Sequence, residues 1–304
     1  MPSVVANRLS LEYEDHGNPG DPVIVLIMGL GQQMIAWPDA LIDALVAGGF
    51  RVVRFDNRDV GRSTWLKGKR TVSPAFWVVM RRFGLRFPVP YRLIDMADDA
   101  LGLMDALEIP AAHVVGASMG GMIAQLVTVK APERVLSLTS IMSSSGARGL
   151  PAASPEIQAR LFARPPKGST RAQLLEHTAE TLQMISYPDA AQDASEFLRF
   201  AELAAERGYN PAGFIRQLLA ILADGSRVKR LGGITAPALV IHGAADKLVP
   251  VACGIDTAKR IPGARLEIIE EMAHDLPPSQ RARVASLIID HARAASHAAG
   301  ARVE

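Results

Sequence analysis

The chain has 304 residues, of which 49% are hydrophobic, and it carries a net charge of +2 with a mean hydropathy of +0.15. This length and apolar content allow one large domain, or one domain with an insertion. We expect no nucleic-acid partner, because the basic residues form no stripe interleaved with aromatic ones. No apolar run reaches the length of a membrane span, and the first residues lack the pattern of a secretory signal.

The cysteine count and the spacing of potential metal-binding residues restrict the chemistry further. Cys253 is the single cysteine, so no internal disulfide is expected, and this fits a reducing compartment such as the cytoplasm. We interpret it as a buried, inert thiol at the start of a helix. No group of Cys, His or acidic residues has the spacing of a metal site. We therefore expect a cytoplasmic protein without metal or cofactor, and the oligomeric state stays open.

In chain order, short apolar strands alternate with amphipathic helices. The patterns predict a strand at 22–31, a helix at 38–50, a strand at 50–59, a helix at 91–109, a strand at 112–118, a helix at 119–133, strands at 135–145, 236–246 and 264–274, and a helix at 279–294. This alternation predicts an α/β fold with a mostly parallel, doubly wound sheet. Ligands of such sheets bind beyond the carboxyl ends of the strands.

Between residues 146 and 232 the strand patterns stop and helical patterns replace them. Gly208 suits the end of one helix, and Asn210–Pro211 suits the start of the next. We interpret 146–232 as a helical cap, or lid, inserted into a core domain made of 1–145 and 233–304.

One hydroxyl stands at a junction between a strand and a helix. The segment from Gly116 to Gly120 has the pattern G-x-S-x-G around Ser118, directly after a buried strand and directly before a helix. This is the context of a nucleophile elbow. Gly116 and Gly120 are expected because side chains there would collide with the neighbouring strand and helix.

A serine hydroxyl needs a base, and the base needs an acid. Of the seven histidines, His274 is the one that follows a late strand in a loop, whereas His242 lies inside a strand end and suits a buried or carbonyl-bonded imidazole. Asp246 comes just after the preceding strand, so Ser118, Asp246 and His274 have the serine–acid–histidine order in which triad partners follow a nucleophile elbow. Asp275, next to the base, is a minor alternative acid.

Acyl transfer also requires donors for the tetrahedral oxyanion. The backbone N–H of Met119, at the start of the helix, is one candidate. The second is the N–H of Leu30, in the loop "MGLG" after the first central strand. We also expect Gly29 of this loop to lie at the substrate pocket.

With these residues in place, the chain resembles the α/β-hydrolase superfamily, and most of all the aclacinomycin methylesterase group of serine esterases. The resemblance rests on "MGLG", "DNRDVGRS", "GASMGG", "HGAADKLVP" and "MAH", in this order. It implies an α/β-hydrolase fold with a helical cap and hydrolysis of small esters. One departure is Asp59, which stands where the superfamily often has glycine. We interpret the "DNRDVGRS" loop as structural, with its carboxylates and Arg58 tying backbone turns together.

The expected activity is hydrolysis of small to medium apolar carboxylic esters through an acyl-enzyme. The same triad could instead cleave carbon–carbon bonds, or make peracids as a cofactor-free haloperoxidase or perhydrolase. A ligand receptor on a hydrolase scaffold is a further alternative. Candidate pocket residues in the cap are Phe162, Met184 and Phe214, each of which also suits cap-to-core packing. Trp37, near the oxyanion loop, either lines the pocket or braces it.

Overall fold

The strands of the chain form one sheet. The computed structural model describes residues 2–67, 88–163 and 168–300, together with positions 73, 76, 78 and 79. Its strands are β1 (Ser3–Ala6), β2 (Leu9–His16), β3 (Val23–Ile27), β4 (Arg51–Phe55), β5 (Ala112–Ala117), β6 (Val135–Ile141), β7 (Ala238–Gly243) and β8 (Arg265–Ile269). Within the described residues they lie in the order β1-β2-β4-β3-β5-β6-β7-β8.

The sheet is mostly parallel, as the alternation of elements predicts. Strands β3 to β8 pair in parallel, whereas β2 runs antiparallel to both β1 and β4. The β1–β2 hairpin was not expected from the sequence. Its turn places both Asn7 and Arg8 at positive φ, the geometry of a two-residue type I′ turn. Arg8 stands where glycine is the usual signal, so the sequence gives little indication of this hairpin.

Helices cover both faces of the sheet and alternate with the strands. They are α1 (Asp39–Ala47), α2 (Leu93–Ala106), α3 (Met119–Lys130), α4 (Pro155–Phe162), α5 (Arg171–Ile185), α6 (Ala194–Arg207), α7 (Pro211–Asp224), α8 (Val228–Leu231), α9 (Val251–Arg260) and α10 (Arg281–Gly300). The buried side chains form two apolar clusters, one with residues of α2 and α3 and the other with residues of α1 and α10.

Strand β3 shows why both faces of the sheet need a helical layer. Val25 and Ile27 belong to the first cluster, and Ile24 and Leu26 belong to the second. All four side chains are almost fully buried. Because successive side chains of a strand point to opposite faces, a continuous apolar run must be covered on both sides.

The helices α4 to α8 lie between β6 and β7 in the chain. The expected start of α7 is confirmed, because Asn210 Oδ1 accepts a hydrogen bond from the Gly213 amide at 3.1 Å and Pro211 is the first helical residue. Helix α6 ends at Arg207, and Gly208 follows it with φ +151°. Within the described part of the chain, no helix is long and apolar enough to cross a membrane.

Candidate active site

Ser118 lies at the tight turn between β5 and α3. Its φ is +56° and its ψ is −120°, a region that non-glycine residues adopt rarely and at a cost of about 1–3 kcal/mol. Two main-chain contacts hold the turn: the Ser118 amide donates to Ile141 O at 2.9 Å, and Ser143 Oγ donates to Ser118 O at 2.7 Å. The hydroxyl is therefore fixed above the carboxyl end of the central strand.

The two glycines of the elbow are required by neighbouring backbone. A Cβ at Gly116 would collide with the carbonyl group of Gly120, and a Cβ at Gly120 would collide with the carbonyl group of Ile27. Neither contact involves a side chain that could rotate away. The expected reason for these glycines, close packing of strand, turn and helix, is what the structure has at both positions.

The structure brings Ser118, Asp246 and His274 together. His274 Nε2 lies 3.0 Å from Ser118 Oγ, and His274 Nδ1 lies 2.7 Å from Asp246 Oδ2. Ser118 follows β5, Asp246 follows β7 and His274 follows β8, so all three lie at the carboxyl edge of the sheet. The His274 amide also donates to Ile185 O at 3.0 Å, which joins the histidine loop to the end of α5.

The Asp246 carboxylate has a partner for each of its oxygens. Oδ1 accepts from the amides of Leu248 and Val249 at 2.9 and 2.8 Å, and Oδ2 faces His274. Burial by itself would raise the pKa of Asp246. The positive charge that His274 can carry and the hydrogen bonds from His242, His274 and the Val249 amide outweigh burial and lower that pKa to about 2. The group is therefore ionised at neutral pH.

His242 supports the turn that carries Asp246. Its ring is fully buried, and Nε2 lies 2.7 Å from Val249 O and 3.5 Å from Asp246 Oδ2. The expectation of a carbonyl-bonded imidazole at this position is confirmed.

Asp275, the rival acid, faces another partner. Its Oδ1 accepts from the Tyr187 amide at 3.1 Å and from the Ala273 amide at 3.3 Å. The Asp275 carboxylate thus joins the histidine loop to the second residue after α5, while Asp246 is the carboxylate beside the His274 ring.

The loop after β3 passes directly over Ser118. A Cβ built on Gly29 would lie 3.0 Å from Ser118 Cβ and 3.5 Å from its Oγ, so this loop is in van der Waals contact with the elbow. Met119 is the first residue of α3, and the amides of a first helical turn have no intrahelical acceptor. Leu30 directly follows Gly29 in this loop, and Met119 directly follows Ser118 at the start of α3.

The "DNRDVGRS" loop ties backbone turns together, as the sequence indicated. Asp56 is fully buried, and it accepts from the Met34 amide at 2.7 Å and the Arg62 amide at 3.1 Å. Asp59 has φ +72°, a backbone conformation that favours glycine. Its carboxylate accepts from Arg216, from the Tyr91 hydroxyl and from the Leu66 amide, and these bonds hold the unusual backbone conformation.

The candidate pocket residues have different environments. The Phe214 ring covers the loop after β3, since a Cβ at Gly31 would lie 2.6 Å from Phe214 Cδ2. Met184 is half-buried near the end of α5. Trp37 is fully buried in the apolar cluster of α1 and α10, so it braces the core and does not line a cleft. The side chain of Phe162 lies outside the described residues.

The described part of the chain offers neither a reactive thiol nor a metal-binding cluster. Cys253 is buried, and burial raises the pKa of its thiol, as expected for a structural cysteine. Among the described residues, no three His, Cys, Asp or Glu side chains are grouped closely enough to hold a metal ion.

Comparison with known proteins gives full-length matches. A sequence profile of the α/β hydrolase fold matches residues 22–278. The chain is 31% identical over 310 residues to rhodomycin D methylesterase DnrP of Streptomyces peucetius, covering 96% of this chain and 98% of that protein. The enol-lactonase from Burkholderia xenovorans LB400 has a TM-score of 0.73 at 22% identity, covering 95% and 99% of the two chains. A meta-cleavage product hydrolase from Pseudomonas fluorescens IP01 has a TM-score of 0.74 at 22% identity, covering 97% and 98%.

The chain belongs to the α/β-hydrolase fold family. The profile match extends from the start of β3 to beyond the histidine loop, and the fold expected from the sequence is confirmed. With methylesterases among its full-length relatives, the chain is a carboxylic ester hydrolase that acts on a small molecule. The resemblance to serine esterases is confirmed at this level.

Proposed function

We propose that the chain hydrolyses its ester by nucleophilic catalysis, with Ser118, His274 and Asp246 as the triad. The supporting observation is the continuous contact from Asp246 Oδ2 to His274 Nδ1 at 2.7 Å and from His274 Nε2 to Ser118 Oγ at 3.0 Å. These are hydrogen-bond distances, so the three groups need no rearrangement before reaction.

The protonation states follow from the ionised acid. With a pKa of about 2, the Asp246 carboxylate can only accept a hydrogen bond, so the proton of the neutral imidazole lies on His274 Nδ1. His274 Nε2 then carries a lone pair that faces the Ser118 hydroxyl. This is the tautomer that a general base requires.

The reaction proceeds in two halves. Ser118 Oγ attacks the ester carbonyl carbon while His274 Nε2 takes the hydroxyl proton, and the imidazolium then gives that proton to the departing alcohol. Water deprotonated by His274 attacks the acyl-enzyme next, and collapse of the second tetrahedral intermediate returns the proton to Ser118 and releases the acid. The amides of Leu30 and Met119 stabilise the oxyanion in both halves.

The substrate we propose is a carboxylic ester of a small to medium apolar acid. A methyl ester on a polycyclic product fits best, because the resemblance to the aclacinomycin methylesterase group implies it and the 31%-identical relative is named a rhodomycin D methylesterase. We also propose that residues 146–232 act as a cap over the cleft. The supporting contacts are Phe214 on the oxyanion loop and Ile185 O on the His274 amide.

The test is hydrolysis of a panel of p-nitrophenyl and methyl esters that vary in acyl bulk. We expect repeated turnover, and we expect Ser118→Ala to lower kcat by at least about 10⁴-fold because the nucleophile is lost. Ser137→Ala is the matched control, since Ser137 is a buried serine whose Oγ contacts His113, not the triad. Its turnover should equal that of the wild type.

Three outcomes contradict the proposal. Turnover that survives in Ser118→Ala would exclude the serine as nucleophile. Cleavage of vinylogous diketones without ester hydrolysis would favour a carbon–carbon hydrolase. A single turnover with retained ligand would favour a receptor.

A further inference from the structure

Gln217, on α7, connects the inserted helices to the oxyanion loop. The residue is fully buried. Its Oε1 accepts from the Gly31 amide at 2.8 Å, and its Nε2 donates to Arg58 O at 2.8 Å. Because one partner is a donor and the other an acceptor, the orientation of the side-chain amide is fixed by the two main-chain groups.

The bond to Gly31 acts next to the candidate oxyanion donor. The Gly31 nitrogen and the Leu30 carbonyl share one rigid peptide plane, so holding the Gly31 N–H restricts rotation about the backbone of Leu30. Gly31 has φ +68°, and Phe214, three residues before Gln217 on the same helix, covers its Cα. Two side chains of α7 therefore hold one residue of this loop.

The rest of the loop is held at both ends, and the Gln217 bond adds a hydrogen bond at its middle. Before Leu30, Gly29 is packed against Ser118. After Gly31, Gln33 Nε2 donates to Ala204 O at 2.7 Å and the Met34 amide donates to Asp56 Oδ1 at 2.7 Å. Without the Gln217 bond, the Leu30–Gly31 peptide would lose its side-chain acceptor.

We propose that Gln217 is a positioning residue that holds the Leu30 amide in the geometry needed to stabilise the oxyanion. This inference rests on the function proposed above. It gives the inserted helix α7 a part in transition-state stabilisation, besides any part in covering the substrate. Gln217 itself does not touch the substrate.

The test compares Gln217→Met, which keeps the side-chain volume but removes both hydrogen bonds, with the wild type. We expect kcat on a p-nitrophenyl ester to fall about 10- to 100-fold, because misplacing one oxyanion donor removes part of the 10²–10³-fold effect of such a donor. We expect KM to change less than about threefold, because the bond acts in the transition state and not on the bound ester.

A transition-state probe separates positioning from a merely structural role. An alkyl trifluoromethyl ketone forms a tetrahedral adduct with an active serine, and its oxyanion occupies the same site as that of the reaction. We expect its inhibition constant to rise by the same factor by which kcat falls, while the affinity for the product acid stays unchanged. Gln217→Asn keeps the amide but is one methylene shorter, and it should show the same two effects.

Gln125→Met is the control for loss of buried hydrogen bonds. Gln125 is also a fully buried glutamine, and it bonds to Ser140 Oγ and Arg227 Nε away from the oxyanion loop. Its variant should lower the melting temperature without changing kcat or the inhibition constant.

The outcomes distinguish this inference from the proposed function. If the wild type hydrolyses esters through Ser118 but Gln217→Met and Gln217→Asn retain kcat and ketone affinity, the positioning role is wrong. If both variants lose ketone affinity and product affinity equally, Gln217 serves only to maintain the pocket, and the inference is wrong. A wild type that neither turns over esters nor binds the ketone overturns the proposed function as well.

Discussion

Two carboxylates near His274 have pKa values shifted in opposite directions. Asp246 is held ionised by His274 and by backbone amides, with a pKa of about 2. Asp275 is different: burial raises its pKa to about 6, although the amides of Tyr187 and Ala273 act in the opposite direction. Its Oδ2 is buried without a hydrogen-bond partner among the described residues. The acid with a partner for each of its two oxygens is therefore the one beside the imidazole.

The raised pKa of Asp275 makes stability depend on pH. An unfolded aspartate titrates near pH 3.9, so between about pH 4 and the folded pKa of about 6 the folded chain binds more protons than the unfolded chain. The free energy of unfolding therefore falls as pH rises through this window. Asp275→Asn cannot ionise, and we expect it to be more stable than the wild type above about pH 6, by on the order of 2 kcal/mol.

Chemical denaturation at about pH 4 and about pH 8 measures this difference. The free energy of unfolding of Asp275→Asn should exceed that of the wild type only at the higher pH. The exposed Asp290→Asn should show no such change. An equal stability difference at both pH values would mean that Asp275 does not ionise within the window.

At the scale of one element, helix α7 joins two loops of the core. Arg216 forms two hydrogen bonds with the Asp59 carboxylate, at 2.8 and 2.6 Å. Its neighbour Gln217 bonds to Arg58 O in the same loop and to the Gly31 amide in the loop after β3. Asp59 is fully buried. Removing the guanidinium would leave a buried carboxylate with only neutral donors, which is costly.

We therefore expect Arg216→Met to lower the free energy of unfolding by about 3 kcal/mol in urea denaturation. Arg199→Met is the control on α6, since that guanidinium is mostly exposed and should change stability by less than about 0.5 kcal/mol. Adding Asp59→Asn to Arg216→Met should recover part of the loss, because asparagine carries no charge and tolerates positive φ. No recovery would mean that packing, not charge, stabilises this contact.

In helix α7, the bounds can be predicted from the sequence, whereas the partners of its buried polar side chains cannot. Its bounds follow from Asn210, Pro211 and Gly225, because capping depends on residues close in the chain. The roles of Arg216 and Gln217 do not follow, because their partners lie more than a hundred residues away. Polar side chains on a helix usually face solvent. No periodicity indicates that these two face a core loop.

At the scale of the whole molecule, the parallel sheet explains how three distant residues could be paired from the sequence. Ser118, Asp246 and His274 each lie at the carboxyl end of a predicted strand, and parallel strands end at one edge. The elbow glycines could be predicted from the G-x-S-x-G pattern between a strand and a helix, although the Ile27 carbonyl that crowds Gly120 belongs to a strand distant in the chain. Trp37 could not be placed in this way, because proximity in sequence to the oxyanion loop does not determine which face a side chain takes.

The central claim is that the Ser118 hydroxyl, activated by His274, is the nucleophile, and covalent labelling tests it most directly. A fluorophosphonate reacts with an activated serine, and digestion followed by mass spectrometry locates the adduct. We expect one adduct per chain, on Ser118, with ester hydrolysis lost in proportion to labelling. Hydrolysis that persists in fully labelled protein, or an adduct on another residue that accounts for the inactivation, would contradict the account.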